Sequence, residues 1–219
     1  QLIGLSAEGY RADLDTDAVA MYVKSRQMAD GSWPYPTADT RPPLCSDHVT
    51  QTALSLRALQ LYAPKGHEAE YQEAVSRASA WLAKADTNVT EDYLSKLLGL
   101  AWAGRDRAAI AEARKELLAL QRPDGGWGDL PTTKTSAYAT GKALYALRTA
   151  GLPPTDRAFQ RGVEYLRNTQ MADGSWNVPT RALGFQPYFE TGFPHGVNQS
   201  ISAAGTGWAT MALLLADTK

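Results

Sequence analysis

"RGVEYLRNTQMADGSW", Arg161–Trp176, is the stretch on which the fold turns. Val163, Tyr165 and Leu166 fall at helical apolar spacing, and the helix runs out at a glutamine, Gln170. Asp173-Gly174 then supplies a stop, because glycine accepts the positive φ that ends a helix. Six residues after the glutamine stands Trp176. The same word recurs. "YVKSRQMADGSW" ends at Trp33 and "ELLALQRPDGGW" at Trp127, so Gln27, Gln121 and Gln170 each precede a tryptophan by six residues. A fourth copy is degenerate: "WLAKAD" puts Asp86 at the glutamine position, and no Gly-x-Trp follows it.

A second helix, also with a shared signature, follows each of these segments. Thr52 is followed by Ala58-Leu59, Thr140 by Ala146-Leu147 and Thr206 by Ala212-Leu213, each at the same offset. Four residues before each threonine lies His48, Ser136 or Ser202. The degenerate unit keeps this register through Glu91, Ser95 and Ala101-Trp102. These second helices are rich in small residues, as in "ATGKALYAL", which lets neighbours approach on several sides. They are expected to form the buried inner layer. The glutamine-terminated helices carry more charge, as in "EARKELLALQ", and are expected to form the outer layer.

The pattern predicts an all-α fold of about four outer–inner helical hairpins, with no convincing strand pattern, in a single domain over residues 1–219. "LIGLSAEG" at Leu2–Gly9 reads like "LLGLAWAG" at Leu97–Gly104, the last turns of an inner helix. On that likeness the chain is expected to be the C-terminal part of a longer one, with an upstream domain completing the array. The charge balance, 22 Lys and Arg against 23 Asp and Glu, leaves no footprint for nucleic acid. The longest apolar run, Trp208–Ala216, is far too short for a transmembrane segment. A single cysteine, Cys45, excludes an intrachain disulfide framework.

The Arg161–Trp176 segment resembles, almost position for position, the QW repeat of squalene–hopene and oxidosqualene cyclases. The other two copies are partial matches. Together with the Thr and Ala-Leu helices, the resemblance extends over nearly the whole chain. It implies an α/α toroid, here a partial barrel, the fold shared by terpenoid cyclases, protein prenyltransferase β-subunits and complement-type thioester domains. It implies no single chemistry. The glutamines and tryptophans themselves are read as scaffold: the amide satisfying backbone groups at a helix end, the indole covering the amide.

If the chain is an enzyme, the resemblance makes it terpenoid cyclase-like, with an apolar, isoprenoid-like small-molecule ligand in the central cavity. The alternative is a noncatalytic toroid module that binds a peptide or partner domain. A cyclase of this family uses an Asp-x-Asp-Asp type of cluster on an inner-helix end. Asp13, Asp15 and Asp17 precede an outer helix instead and read as cap and first-turn charge. Prenyltransferases hold zinc through Asp, Cys and His. Cys45, Asp47 and His48 have the right ligand types but no distant fourth, with Asp47 a natural N-cap, so neither metal nor cofactor is expected.

The unusual segment is Thr180–Ser200. Trp176 and Thr206 stand thirty residues apart, against thirteen for Trp127 and Thr140, so an insertion enters this hairpin. Glu190 and His195 in it are the candidate catalytic acid/base pair. Tyr188, Phe189 and Phe193 from the insertion, with Tyr138 and Trp208 from inner helices, are the candidate ligand-binding residues. Together they are expected to bound a pocket at the end where the inner helices begin.

Overall fold

The structure is a computed structural model, and it describes residues 1–35, 47–181 and 189–217. Among these residues it is helical and contains no strand, only an isolated bridge between Gly128 and Thr135. A short helix, α1 (Leu2–Ala7), precedes eight longer ones. The outer helices are α2 (Leu14–Ser25), α4 (Glu68–Lys84), α6 (Arg107–Ala119) and α8 (Arg157–Thr169). The inner helices are α3 (His48–Leu61), α5 (Thr90–Ala103), α7 (Ala137–Thr149) and α9 (Gln199–Asp217). Inner helices pack on one another in chain order, and each outer helix packs on at least one inner helix beside it. The chain is thus an all-α, partial α/α toroid of four hairpins.

Small residues set the spacing of the inner layer. A Cβ built on Gly141 would lie 2.6 Å from the backbone nitrogen of Ala209, so α7 and α9 touch backbone to backbone there. One built on Gly99 would lie 3.0 Å from the Ala53 Cβ, at the α3–α5 contact. Leu56, Leu59, Leu97, Leu100, Leu144 and Leu147 are fully buried in the resulting core. The last inner helix departs from the expected buried layer. On α9, Leu214 is 64% exposed and Met211 39%, on a side that no helix among the described residues covers. The helix starts at Gln199, three residues before Ser202, led in by a 3-10 turn at Gly196–Asn198.

The caps follow the sequence reading. Asp13 accepts from the Thr16 amide at the head of α2, with Asp15 and Asp17 in the first turn. Asp47 accepts from the Thr50 amide at 2.6 Å at the head of α3, and His48 beside it is exposed. Cys45 lies outside the described residues.

Each tryptophan packs with its own glutamine turn, but the two side chains exchange the roles expected of them. The indole ties off the preceding helix: Trp33, Trp127 and Trp176 donate from Nε1 to the carbonyls of Val23, Leu117 and Leu166 in its last turn. The glutamine amide reaches forward instead. Gln27 Nε2 donates to Gly31 O and to Ala74 O of α4; Gln121 Nε2 donates to Gly125 O and to Ala158 O of α8. Each of these two glutamines therefore pins its own turn to the next outer helix. The recurring threonine has a use as well, since Thr52, Thr140 and Thr206 accept from the backbone N–H of the three tryptophans.

Gln170 makes the turn bond to Gly174 O, at 3.0 Å, and among the described residues no bond to another outer helix. Gln121→Ala is therefore expected to cost about 1–3 kcal/mol and Gln170→Ala about half as much, at roughly 1 kcal/mol per hydrogen bond. Denaturant melts of the two variants check the ordering. Equal losses would contradict the forward tether.

Candidate functional site

The insertion begins and ends beside the N-terminal ends of the inner helices. Thr180 N donates to the Asn198 side chain, and Val178 N to Ser202 Oγ. Arg181 reaches Asp129 at 3.9 Å, next to the head of α7. His195 sits in the left-handed region, φ 85°, where its ring Nε2 meets Ser175 Oγ at 2.7 Å. Ser175 in turn donates to Asp173 Oδ1 at 2.6 Å, and that carboxyl is held below its ordinary range by the serine hydroxyl and amide. His195 thus locks the insertion to the glutamine turn. Its ring also meets Phe193 edge-on at 6.2 Å.

Glu190 is exposed and accepts from the Gly192 amide at 2.9 Å, so the two acid/base candidates are positioned by different parts of the loop. Phe189 is 78% exposed. Tyr188 lies outside the described residues. Tyr138 is buried at the head of α7, against Gly205 of α9. Trp208 is half-buried one turn further along α9. It packs edge-on against Tyr145 of α7 at 5.4 Å, with the Lys142 ammonium 5.5 Å above its ring. A groove of about 570 Å³ lies elsewhere, on the outer face between α2 and α4, lined by Leu14, Met21, Lys24 and Tyr71 among others.

The heads of α3, α5 and α7 carry a cluster that sequence reasoning did not assemble. Thr50 and Ser95 share a hydrogen bond of 3.0 Å and hold α3 and α5 side by side. Asp92 on α5 is 5% exposed, takes the amides of Asn88 and Val89 on one oxygen, and lies in contact with Asp47. Burial pushes its carboxyl up to about 6, against the pull of the two amides and with a further push from Asp47. Glu91 beside it is paired with Lys142 of α7. Asp129, also buried, is raised by desolvation and partly held down by Arg181. Burial at this end thus favours the protonated form of the Asp92 carboxyl. The signal in the sequence was faint: Glu91 occupies the register of His48, Ser136 and Ser202, where the other units have no carboxylate.

Residues 67–169 match the squalene-hopene cyclase N-terminal domain family. The chain is similar to the squalene–hopene cyclase of Bradyrhizobium diazoefficiens, 33% identical over 52% of this chain and 18% of that protein. It is similar to the probable squalene–hopene cyclase of Sinorhizobium fredii, 24% identical over 89% of this chain and 34% of that one. A squalene-hopene cyclase of Schizosaccharomyces japonicus is 28% identical over 60% of this chain and 28% of its own. The chain spans about a third or less of these relatives. The helical hairpins give the chain the α/α toroid architecture, and over residues 67–169, just under half of its length, it is similar to the squalene-hopene cyclase N-terminal domain.

Proposed function

We propose that this chain is a ligand-binding segment of a squalene-cyclase-like toroid, which receives an apolar, isoprenoid-like molecule against the aromatic side chains of its inner helices. The observation that carries this reading is the Tyr145–Trp208 ring pair. These half-buried side chains come from adjacent inner helices, with Lys142 directly over Trp208. Aromatic faces take apolar chains by area burial and attract positive charge on the ring face. Phe189 and Phe193 of the insertion and Tyr138 of α7 are the further aromatic candidates under this reading. Glu190 and His195 are the acid/base candidates of that loop. The relatives' names supply the first ligand to try, squalene.

Titration with squalene in mixed micelles, read by tryptophan fluorescence against empty micelles, tests the assignment. A saturable change is expected, and Trp208→Ala should weaken binding at least tenfold while leaving the melting temperature within a few degrees. Undiminished binding by that variant, or no saturation in the wild type, would remove the reading. The alternative, a noncatalytic module that binds a partner, has its own support in the open apolar side of α9, where Met211 and Leu214 are exposed.

A further inference from the structure

The internal repeat provides two worked examples of how one hairpin receives the next, and a third set of the same residues with no described helix on it. In the first example, Gln27 donates to Ala74 O of α4, and Arg77 one turn later donates back to Gln27 Oε1 at 2.5 Å. In the second, Gln121 donates to Ala158 O of α8, and Arg161 donates back to the carbonyl of Arg122 at 2.7 Å. The turn glycines mark the same contact. A Cβ on Gly31 would lie 2.5 Å from Arg77 O, and one on Gly125 would lie 2.5 Å from Arg161 O. On Gly174, the third copy, a Cβ would meet, among the described residues, nothing but the amide of Gln170, at 4.0 Å.

The inner layer repeats the comparison independently. Gly141 follows Thr140 and is covered by the backbone of Trp208 and Ala209. Gly207 follows Thr206 in the same register, and a Cβ there would meet no described residue within 4 Å. Met211 and Leu214 continue that bare side along α9, at 39% and 64% exposure. The register of the receiving helices is also specific. α4 reads Ala74-Val75-Ser76-Arg77-Ala78, and α8 reads Ala158-Phe159-Gln160-Arg161-Gly162. α6, which follows the degenerate unit with no Gln–Gly–Trp turn, has Glu112 where these have arginine.

We propose that the Gln170–Gly174 turn and the Gly207–Met211–Leu214 side of α9 together form a docking surface for one further outer–inner hairpin of the same repeat, supplied from outside residues 1–219. Its outer helix carries Ala–apolar–x–Arg–small at the contact. The alanine carbonyl takes the second hydrogen of the Gln170 amide, and the arginine returns to the turn. Its inner helix closes on Gly207 as α9 closes on Gly141. The surface is continuous with the two interfaces already filled inside the chain, which is what defines its occupant.

The test uses the full chain and, as probe, a helix-stapled peptide of the sequence Arg157–Thr169, with its helicity confirmed by circular dichroism. Saturable binding is expected, with a shift of the Gln170 side-chain amide resonances. Gln170→Glu in the chain, which removes the donor, should weaken binding at least tenfold. Arg161→Glu in the peptide should do the same, and it leaves the chain untouched should the first variant fold poorly. Three results would overturn the proposal: no saturation at millimolar helical peptide, equal affinity for both variants, or a stable dimer by light scattering whose partner copy already covers Gln170. None of these outcomes depends on squalene binding.

Discussion

Trp127→Ala is expected to cost about 3–5 kcal/mol, the upper range for truncating a buried aromatic side chain. The Trp127 side chain is 0% exposed, and three separate contacts converge on this residue. Its indole N–H satisfies Leu117 O in the last turn of α6, and its backbone N–H is taken by Thr140 of α7. Its ring sits 3.1 Å from where a Cβ would stand on Gly162 of α8. Removing it opens a void among one inner and two outer helices and strands a carbonyl that water cannot easily reach. At about 2–4 °C per kcal/mol for a chain of this size, the midpoint should fall by roughly 6–20 °C. Trp127→Phe keeps most of the volume and should recover more than half of that loss. A melting curve for the alanine variant that overlays the wild type would refute the structural reading of the repeat.

The second large effect concerns pH. The Asp92 carboxyl is raised to about 6 in the folded chain, from an ordinary 3.8. A raised carboxyl contributes its full stability below the unfolded value and loses it as pH climbs through the folded one. The contribution is thus intact near pH 3.5 and gone by about pH 7. At about 1.4 kcal/mol per unit, the loss across that window is up to about 3 kcal/mol. Asp92→Asn removes the charge that burial penalises. Its amide oxygen still accepts from Asn88 and Val89, and its NH₂ can donate to Asp47. The variant should match the wild type near pH 4 and exceed it by about 2–3 kcal/mol at pH 8. Denaturant melts at the two pH values measure this, and parallel pH profiles for the two proteins would exclude it.

These two predictions differ in how readable they were. The Trp127 joint lies inside one short window, so the register of glutamine, glycine and tryptophan is enough to announce a joint. Which atom bonds which did not follow from that register. Ala74 and Ala158, which receive the glutamine amides, lie in helices 47 and 37 residues downstream. A glutamine at a helix end has only its own helix in view when the sequence is read locally, and the roles of amide and indole were therefore exchanged. The carboxylate cluster was harder still. Asp47, Glu91 with Asp92, and Asp129 belong to separate joints, and only the side-by-side packing of α3, α5 and α7 brings them together. In the inserted loop, aromatic composition pointed to a surface but not to its fastening, because the tie between His195 and Ser175 depends on a left-handed backbone at a non-glycine residue.

The degenerate joint after α4 has a mechanical meaning. A curved array of this kind bends by changing the spacing of its outer helices while the inner ones stay in contact, so its curvature is set at the outer joints. Two of these joints are pinned by short, neutral amide bonds from Gln27 and Gln121. Between α4 and α6 the same span is crossed by Lys96 of α5, whose ammonium holds Ala85 O at 3.1 Å and Glu116 at 3.6 Å. A flexible four-carbon arm rooted in the inner layer replaces a rigid outer clasp. On these contacts the first and third joints are expected to be the stiffer ones and the second the more compliant, with α5 as the expected pivot of any bending.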